Sequence, residues 1–334
     1  MGHLTGLTEE KGLVSIIILN YNGKHLLDDC IGSIRLQDYR QIEVIVADNA
    51  SEDGSVEYLV EHFPEVLVVE HPGNYGYAAG NNIAAKRVRG EFLFFLNNDT
   101  RLDPHCISAL VSAAKECKAD ICGCAVTDFE GSKPPLVLGC DFLGFPRSGK
   151  FFYVGGCAIF FSRSAFNQLG GFDEDYFMFF EDSDICWRGR LSGKRIIYVE
   201  EAVVCHMGGA TLFGGSPERP GYTTNYQRRY LGERNNLRTL LKNYRVRTLL
   251  FVIPIYIFIN ILEIIVLLLA RNPRAVLCYI RAYWSNLTSL FEIMRDRRRV
   301  QASRKVGDLE IMRHMSLVPN KFRMLLKVGV PTIK

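Results

Sequence analysis

Short apolar runs that end in polar residues recur along the first half of the chain. Residues 12–23 (GLVSIIILNYNG), 42–55 (IEVIVADNASEDGS), 66–71 (VLVVEH) and 91–100 (EFLFFLNNDT) all follow this pattern. Runs that are short and apolar throughout are typical of central strands buried on both faces of a parallel sheet. Amphipathic or alanine-rich stretches separate them, as in βαβ units. The pattern predicts an α/β fold with a Rossmann-like, mostly parallel sheet flanked by helices.

The second half of the chain combines strand-like and helical patterns. Residues 105–117 predict a helix, and the stretch 131–150, which contains proline and glycine, predicts a loop. Two further apolar runs, with Gly155 and Gly156 before the first and His206 at the end of the second, predict two more strands.

The composition changes near residue 240. Residues 249–270 are almost wholly apolar, and 276–294 are mixed. A helix over 249–270 would be about 33 Å long, against a hydrocarbon core of about 30 Å. We therefore predict an α/β domain over residues 1–240 and a helical, membrane-associated region with a basic tail over residues 241–334.

The polar residues at the predicted strand ends suggest a ligand site. Ligands of open α/β sheets bind at the carboxyl ends of the strands. The amide, carboxylate and phenol groups expected there are those of Asn20, Tyr21, Asn22, Asp48, Asn49, Asn74, Asn82, Asn97, Asn98 and Asp99. Oxygen-rich sites with few carboxylates suit Mg²⁺ or Mn²⁺ together with substrate phosphates. A polar turn that merely closes a strand is the alternative for any single segment.

Two common nucleotide-binding loops are excluded. The G-x-G-x-x-G fingerprint is missing after the first strand, where the sequence reads NYNGKH. Residues 144–151 (GFPRSGKF) match G-x-x-x-x-G-K, but Phe151 stands where a Mg²⁺-binding hydroxyl is needed and Pro146 interrupts the loop. The sequence therefore favours neither hydride transfer nor a P-loop ATPase.

The net charge, the cysteines and the N-terminal residues indicate where in the cell the protein is expected. The net charge is +4, with 40 Lys+Arg against 36 Asp+Glu, so no nucleic-acid partner is expected. Several of the 10 cysteines lie in apolar runs, as reduced buried thiols do. The first residues lack the basic and apolar regions of a secretory signal. We therefore expect the protein at the cytoplasmic face of the cell membrane.

The segments NYN, DNAS, GNYGYAAGNN and NNDT, in this order, resemble the inverting family 2 glycosyltransferases with a GT-A fold. The resemblance is greatest to the rhamnosyltransferase and galactofuranosyltransferase-like branch, and it covers roughly residues 12–240. It implies transfer of a rhamnosyl-type or other hexosyl group from a nucleotide-sugar donor to a glycan or a lipid-linked acceptor. Residues 226–232 (YQRRYLG) differ from the QxxRW motif of processive relatives, which favours addition of a single sugar.

The resemblance also assigns the donor site. Tyr21 would stack on the nucleobase and Asp48 would accept a hydrogen bond from it. Asp99 would reach a divalent cation, Mg²⁺ or Mn²⁺, and His206 would be a second ligand of the metal or a ligand of the diphosphate. The sequence departs from the family's DxD motif because Asn97 replaces the first aspartate, which leaves one anionic ligand. The remaining donor contacts would come from Asn20, Asn22, Asn49, Asn74, Asn82, Asn97, Asn98, Gly155 and Gly156.

Residues 179–187 (FFEDSDICW) supply the predicted catalytic acids. By the resemblance, Asp182 is the general base and Glu181 orients it or touches the acceptor. Aromatic walls and a neighbouring carboxylate would both raise the pKa of Asp182. Asp184 fits better as a charge that favours the helix N-terminus. Arg228, Arg229 and Arg234 could clamp the diphosphate or form a solvated basic face.

The function of the C-terminal region admits alternatives. Arginines and lysines flank residues 249–270 on both sides, so the positive-inside rule selects no orientation. An in-plane or re-entrant hairpin with residues 276–294, in contact with membrane lipids, fits better than one crossing. A pair of soluble helices that forms a homodimer is the alternative.

Two other functions remain open at this stage. A sugar-nucleotide nucleotidyltransferase would need a glycine-rich loop with lysine or arginine after the first strand, where Lys24 is the one lysine or arginine among residues 20–29. A non-catalytic membrane-anchored scaffold would not need Asp99, Asp182 and His206.

Overall fold

The computed structural model describes residues 8–130, 133–208, 223–328 and 332–333. They belong to two compact units. The first unit is formed by Met1–Leu136, Val154–Gly189 and Lys194–Thr211, and the second by Val137–Tyr153, Arg190–Gly193 and Leu212–Lys334. The domain boundary near residue 240 stays a prediction.

Twelve strands lie within the described residues. They are β1 (Glu10–Asn20), β2 (Ile42–Asp48), β3 (Leu67–Glu70), β4 (Gly90–Asn97), β5 (Thr100–Leu102), β6 (Ile121–Asp128), β7 (Leu138–Cys140), β8 (Pro146–Ser148), β9 (Ala158–Ser162), β10 (Ile196–His206), β11 (Thr223–Thr224) and β12 (Thr332–Ile333).

Twelve α-helices lie within the same residues. They are α1 (Leu27–Arg35), α2 (Ser55–His62), α3 (Gly76–Ala85), α4 (Cys106–Glu116), α5 (Arg163–Leu169), α6 (Glu181–Leu191), α7 (Tyr226–Asn243), α8 (Val246–Leu269), α9 (Pro273–Thr288), α10 (Leu290–Ser303), α11 (Asp308–Met312) and α12 (Asn320–Val328).

The first unit is built on one eight-stranded sheet in the order β3-β2-β1-β4-β9-β6-β10-β5. The pairs β3–β2, β2–β1, β1–β4 and β6–β10 are parallel, and the other three are antiparallel. The predicted mostly parallel α/β sheet is therefore confirmed. Asn20 pairs with Asp48, and Leu19 pairs with Asn97, so the polar ends of β1, β2 and β4 lie level at one edge.

The apolar runs are buried because helices cover both faces of the sheet. Ile16, Ile17 and Ile18 are fully buried although their side chains alternate between the two faces. Helix α1 contributes Cys30 and Ile31 to the core on one face. Burying such a side chain contributes about 1.5–3 kcal/mol, which is why the runs stay in the centre of the sheet.

The predicted loop over residues 131–150 was only partly right. Leu138 pairs with Ser148 and Cys140 with Pro146, so β7 and β8 form a hairpin in the second unit. Three-residue strands are too short to show a periodicity, which is why the sequence pattern missed them. Residues 131 and 132 lie outside the described part of the chain.

The second unit is largely helical. Helix α8 is the one helix in the described residues that is long and apolar enough to cross a membrane. Arg229 on α7 is buried, forms an ion pair with Glu263 on α8 and donates a hydrogen bond to the Tyr279 hydroxyl at 2.8 Å. These contacts favour a structural role for Arg229 over both predicted alternatives, the diphosphate clamp and the solvated basic face.

Candidate active site

A buried chain of hydrogen bonds joins the ends of β4, β1 and β2. The Asn98 amide donates to Oδ1 of Asn20 at 2.8 Å, and the Asn20 amide donates to Oδ1 of Asp48 at 2.9 Å. Ser51 donates its hydroxyl to Oδ1 of Asp48 at 2.6 Å and its backbone N–H to Oδ2 at 2.7 Å. Asp48 is 2% exposed and is therefore fixed in position and orientation.

The loop after β1 places Tyr21 and Asn22 at the edge of this chain. The Tyr21 side chain is 39% exposed, which leaves a ring surface available for stacking. Asn22 adopts a left-handed φ of 50°, accepts a hydrogen bond from the Glu52 N–H at 2.8 Å and donates its own N–H to the Ser51 hydroxyl at 2.8 Å. These bonds hold the loops after β1 and β2 together.

Asn49 joins the end of β2 to the loop before α3. Its amide donates to Oδ1 of Asn74 at 3.3 Å and to the Gly76 carbonyl at 3.2 Å. Its Oδ1 lies 2.8 Å from Nδ1 of His71. Burial lowers the pKa of His71, which favours the neutral ring. Sequence reasoning missed His71, although its place directly after a strand is the same signal that marked the others.

Asn82 has a different environment from the other predicted donor ligands. Its amide donates to the Phe172 carbonyl at 2.8 Å and to Glu174 at 3.1 Å, and its Oδ1 accepts from the Phe172 N–H at 3.0 Å. These contacts favour a structural role for Asn82. Its contact with a donor stays a prediction.

The turn after β4 brings Asp99 beside His206. The Asn97 N–H donates to the Cys157 carbonyl at 2.9 Å, and the Thr100 hydroxyl donates to the Asn97 carbonyl at 2.6 Å. Thr100 and His206 pair across β5 and β10. Oδ1 of Asp99 consequently lies 3.2 Å from Nε2 of His206.

The charge states of this pair depend on each other. Asp99 is 5% exposed. Burial alone would raise the pKa of Asp99, but His206 outweighs burial and lowers it, so the carboxylate is ionised near neutral pH. Burial opposes a charge on His206, but Cys157 and Asp99 outweigh it and raise the pKa of the imidazole. A cation held by both side chains would therefore displace a proton from His206.

Glu181 and Asp182 open helix α6. Asp182 accepts a hydrogen bond from the Gly156 N–H to Oδ2 at 2.9 Å and one from the Ser183 N–H to Oδ1 at 2.7 Å. Burial raises the pKa of Asp182. Burial and the negative charge of Asp182 together raise the pKa of Glu181 well above its ordinary value. Gly155, the other predicted pocket glycine, is half-buried and its carbonyl accepts from the Ala158 N–H at 3.2 Å.

Asp184 differs from its two acidic neighbours. Its side chain is fully buried, and its Oδ2 lies 2.7 Å from Nε of Arg188, one helical turn further on. Arg188 in turn donates to the Leu169 and Gly171 carbonyls at 2.6 and 2.9 Å. The pair ties α6 to the segment after α5, which is a structural role for Asp184.

A strained aromatic segment precedes the two acids. Phe177, Phe179 and Phe180 have φ values of 61°, 66° and 72°, which cost of order 1–3 kcal/mol each for residues other than glycine. The Phe177 carbonyl accepts from the Tyr77 N–H at 2.6 Å, and the Tyr77 hydroxyl donates to the Gly156 carbonyl at 2.5 Å. Strain of this kind concentrates at functional sites. Sequence reasoning missed Tyr77, because nothing local shows its two partners.

Comparison with known proteins decides between the remaining alternatives. Residues 15–170 match the family Glycosyl transferase family 2. The N-acetylglucosaminyl-diphospho-decaprenol L-rhamnosyltransferase of Mycobacterium tuberculosis is 28% identical over 232 residues, which are 58% of this chain and 76% of that protein. Residues 15–170 therefore form a glycosyl transferase family 2 domain. This membership makes it a glycosyltransferase that uses a nucleotide-sugar donor, and it is the reason to prefer sugar transfer over nucleotidyl transfer or a scaffold role.

Two solved structures share the fold of this glycosyltransferase. Staphylococcus aureus TarS in complex with UDP has a TM-score of 0.51 and 18% identity, over 69% of this chain and 66% of the other. The mannosyltransferase PcManGT from Pyrobaculum calidifontis, in complex with GDP-Man and Mn²⁺, has a TM-score of 0.50 and 21% identity, over 71% and 66%. The predicted GT-A-like fold of the family 2 enzyme is thus confirmed.

Proposed function

We propose that this family 2 enzyme transfers one hexosyl group, of rhamnosyl type or another, from a nucleoside-diphosphate sugar to a hydroxyl of a lipid-linked or glycan acceptor, with inversion. The observation that carries the proposal is the meeting of Asp99 and His206 at 3.2 Å, within the unit whose strand ends carry the polar edge. A lipid-diphosphate-linked acceptor is supported by the name of the mycobacterial relative, whose acceptor carries a diphospho-decaprenol.

The nucleoside would bind at the end of β1 and β2. The exposed ring of Tyr21 offers a π face for the base. Oδ2 of Asp48 accepts one hydrogen bond, from Ser51, and a carboxylate oxygen can accept two. Asp48 therefore keeps capacity for an N–H of the base, in an orientation that Asn20 and Ser51 already fix.

Asp99 and His206 fit a divalent cation. Oδ1 of Asp99 is buried, and Nε2 of the His206 imidazole lies 3.2 Å from it. A mixed oxygen and nitrogen donor set suits Mn²⁺, whereas Mg²⁺ prefers oxygen alone. The cation, when bound, supplies Lewis-acid stabilisation of the departing diphosphate. We infer that these two side chains hold it.

Asp182 would act as the general base. As the bond from the acceptor oxygen to the anomeric carbon forms and the bond to the diphosphate breaks, the hydroxyl proton moves to a carboxylate oxygen of Asp182. The N–H groups of Gly156 and Ser183 hold this carboxylate in place. A positioned base of this kind contributes about 10²–10⁴-fold to the rate. Glu181 would orient the base or contact the acceptor.

We also propose that the enzyme works at the cytoplasmic face of a membrane, attached through α8. The large apolar side chains on this helix that are more than one third exposed include Phe251, Phe258 and Leu269. Attachment would bring the enzyme to a lipid-linked acceptor.

Titration calorimetry with a panel of nucleoside diphosphates, with and without Mn²⁺, tests the donor site. We expect one diphosphate to bind the wild type in a Mn²⁺-dependent manner and Asp99→Ala to lose that binding. Glu116→Ala, which removes an exposed carboxylate at the end of α4, is the matched control and should bind as the wild type does. If the affinity for the diphosphate changes neither with Mn²⁺ nor with Asp99→Ala, the assignment of this site is refuted.

A further inference from the structure

Helices on both sides of α8 in the sequence contact each other directly. Helix α7 precedes α8, and α9 follows it, yet the Asn286 amide of α9 donates to the Arg234 carbonyl of α7 at 3.0 Å. Lys321 of α12 donates to Glu233 of α7 at 2.5 Å. A helix that crossed a bilayer once would place its two flanking segments in different compartments. These contacts require that α7, α9 and α12 lie on the same side.

One face of α8 is polar and contacts the neighbouring helices. Tyr256 and Asn260 are buried, and Glu263 follows one turn later. Oε2 of Glu263 lies 2.9 Å from Nζ of Lys321, and Glu263 also pairs with Arg229. Removing one partner of a largely buried ion pair leaves an uncompensated charge, so this face stays with the helical unit.

The opposite face of α8 is apolar and exposed. Phe251 is 74% exposed, Phe258 59% and Leu269 79%, and α9 adds Trp284 at 65%. Soluble monomers rarely expose large contiguous apolar patches. A helix with one face fixed to protein and the other apolar is suited to lie at a membrane interface.

Arginines flank both ends of α8, where they could contact anionic lipid headgroups. Arg245 and Arg247 precede the helix, Arg271 and Arg274 follow it, and all four are exposed. If the helix lies flat, both pairs of arginines contact headgroups of the same leaflet, and each arginine adds electrostatic attraction to an anionic lipid surface. A crossing helix would take one pair to the other leaflet.

A re-entrant hairpin with α9 does not fit either. Helix α9 has 16 residues, about 24 Å, which is shorter than the hydrocarbon core of about 30 Å. Arg281 lies in the middle of α9 and is exposed, and its guanidinium lies over the ring of Tyr230 of α7 at 5.1 Å. A returning helix would carry this charge into the hydrocarbon.

We propose that α8 lies in the plane of the interface of an anionic bilayer, with its apolar face at one shallow depth, and does not cross. The inference rests on the proposed membrane attachment and adds its geometry. The apolar face contacts the boundary between the headgroups and the acyl chains of the lipid. The flanking arginines contact the phosphate headgroups.

Depth-dependent tryptophan quenching tests this geometry. The chain has 2 tryptophans, and Trp187 is buried in the first unit at 1% exposure. Trp284→Phe therefore serves as the reference, and Phe251→Trp, Phe258→Trp and Leu269→Trp are each added to it. Each full-length variant is mixed with vesicles of phosphatidylcholine and phosphatidylglycerol, brominated either near the glycerol or near the chain ends.

We expect all three new tryptophans to be quenched more by the shallow bromines, with equal ratios of deep to shallow quenching. Positions 251 and 269 are separated by about 27 Å along the helix axis, so a crossing helix would make position 258 several-fold more sensitive to the deep bromines. That result would overturn the in-plane geometry while leaving attachment intact. Vesicles of phosphatidylcholine alone should bind more weakly, because the arginines lose their partners.

Vesicle flotation and light scattering of the same samples separate the other outcomes. A protein that stays off the vesicles refutes attachment and the in-plane geometry together. A stable dimer in solution that is not quenched shows that a second copy covers the face, and also overturns the proposal. Neither result bears on the donor site, which the calorimetry with Asp99→Ala tests independently.

Discussion

Replacing Gly76 with alanine tests the link between the donor loop and the catalytic acids. Gly76 opens α3 with a φ of +74°. A Cβ at this position would lie 2.4 Å from the Phe177 carbonyl oxygen and 2.5 Å from Cδ2 of the Phe177 ring. The obstacle is a backbone group that already accepts hydrogen bonds from the N–H groups of Tyr77 and Ala78, so it cannot move freely.

The expected cost of Gly76→Ala follows from these contacts. A left-handed backbone costs a non-glycine residue about 1–2 kcal/mol. Overpacking a filled site costs about 1–3 kcal/mol. We therefore expect the free energy of unfolding to fall by about 2–5 kcal/mol. We also expect slower sugar transfer, because Phe177 leads directly into the segment that positions Glu181 and Asp182.

Urea denaturation and steady-state transfer rates measure the two effects. Gly73→Ala is the matched control in the same loop, because its added Cβ would meet no atom within 4 Å and its φ is not left-handed. We expect Gly73→Ala to stay within about 0.5 kcal/mol of the wild type and to keep its rate. If Gly76→Ala matches Gly73→Ala in both stability and rate, the described contact between α3 and Phe177 is wrong.

Three further predictions concern the acids of α6. Asp182→Asn should slow transfer by about 10²–10⁴-fold in steady-state assays while calorimetry shows unchanged donor affinity, and a loss of affinity instead would contradict its role as the base. Because burial raises the pKa of Asp182, and burial with the charge of Asp182 raises that of Glu181, the rate should fall as the pH drops through a pKa above the ordinary 3.8 of aspartate. A pH–rate profile with no acid limb above that value would speak against this. Arg188→Met removes the ion pair of the buried Asp184 carboxylate and should lower the free energy of unfolding by about 3–5 kcal/mol in urea denaturation, whereas Arg195→Met, at an exposed position, should lower it little.

The strands and their polar edge could be predicted because both depend on local sequence. A run such as 91–100 shows its burial and its polar end within ten residues. The partners at that edge could not be predicted in the same way. Asn20 meets Asp48 and Asn98, which are 28 and 78 positions away, and no periodicity encodes such pairs.

Helix α8 shows the same limit in the second unit. Its composition predicts an apolar helix long enough to span a membrane. From composition alone, Glu263 is a charge that makes insertion of this helix into a membrane less favourable. The structure gives Glu263 two cationic partners, Arg229 on α7 and Lys321 on α12. Composition reports how apolar a helix is, whereas its tertiary partners decide which face is available to lipid.

Glu263 acquires its partners in two steps during synthesis. Arg229 leaves the ribosome before α8, but Lys321 follows much later. Until then the helix is an apolar segment of spanning length whose ion pair with Lys321 has not formed. We therefore expect folding of the helical unit to compete with insertion of this segment into a membrane. Slower translation after α8, or loss of Lys321, would shift that competition toward misinsertion.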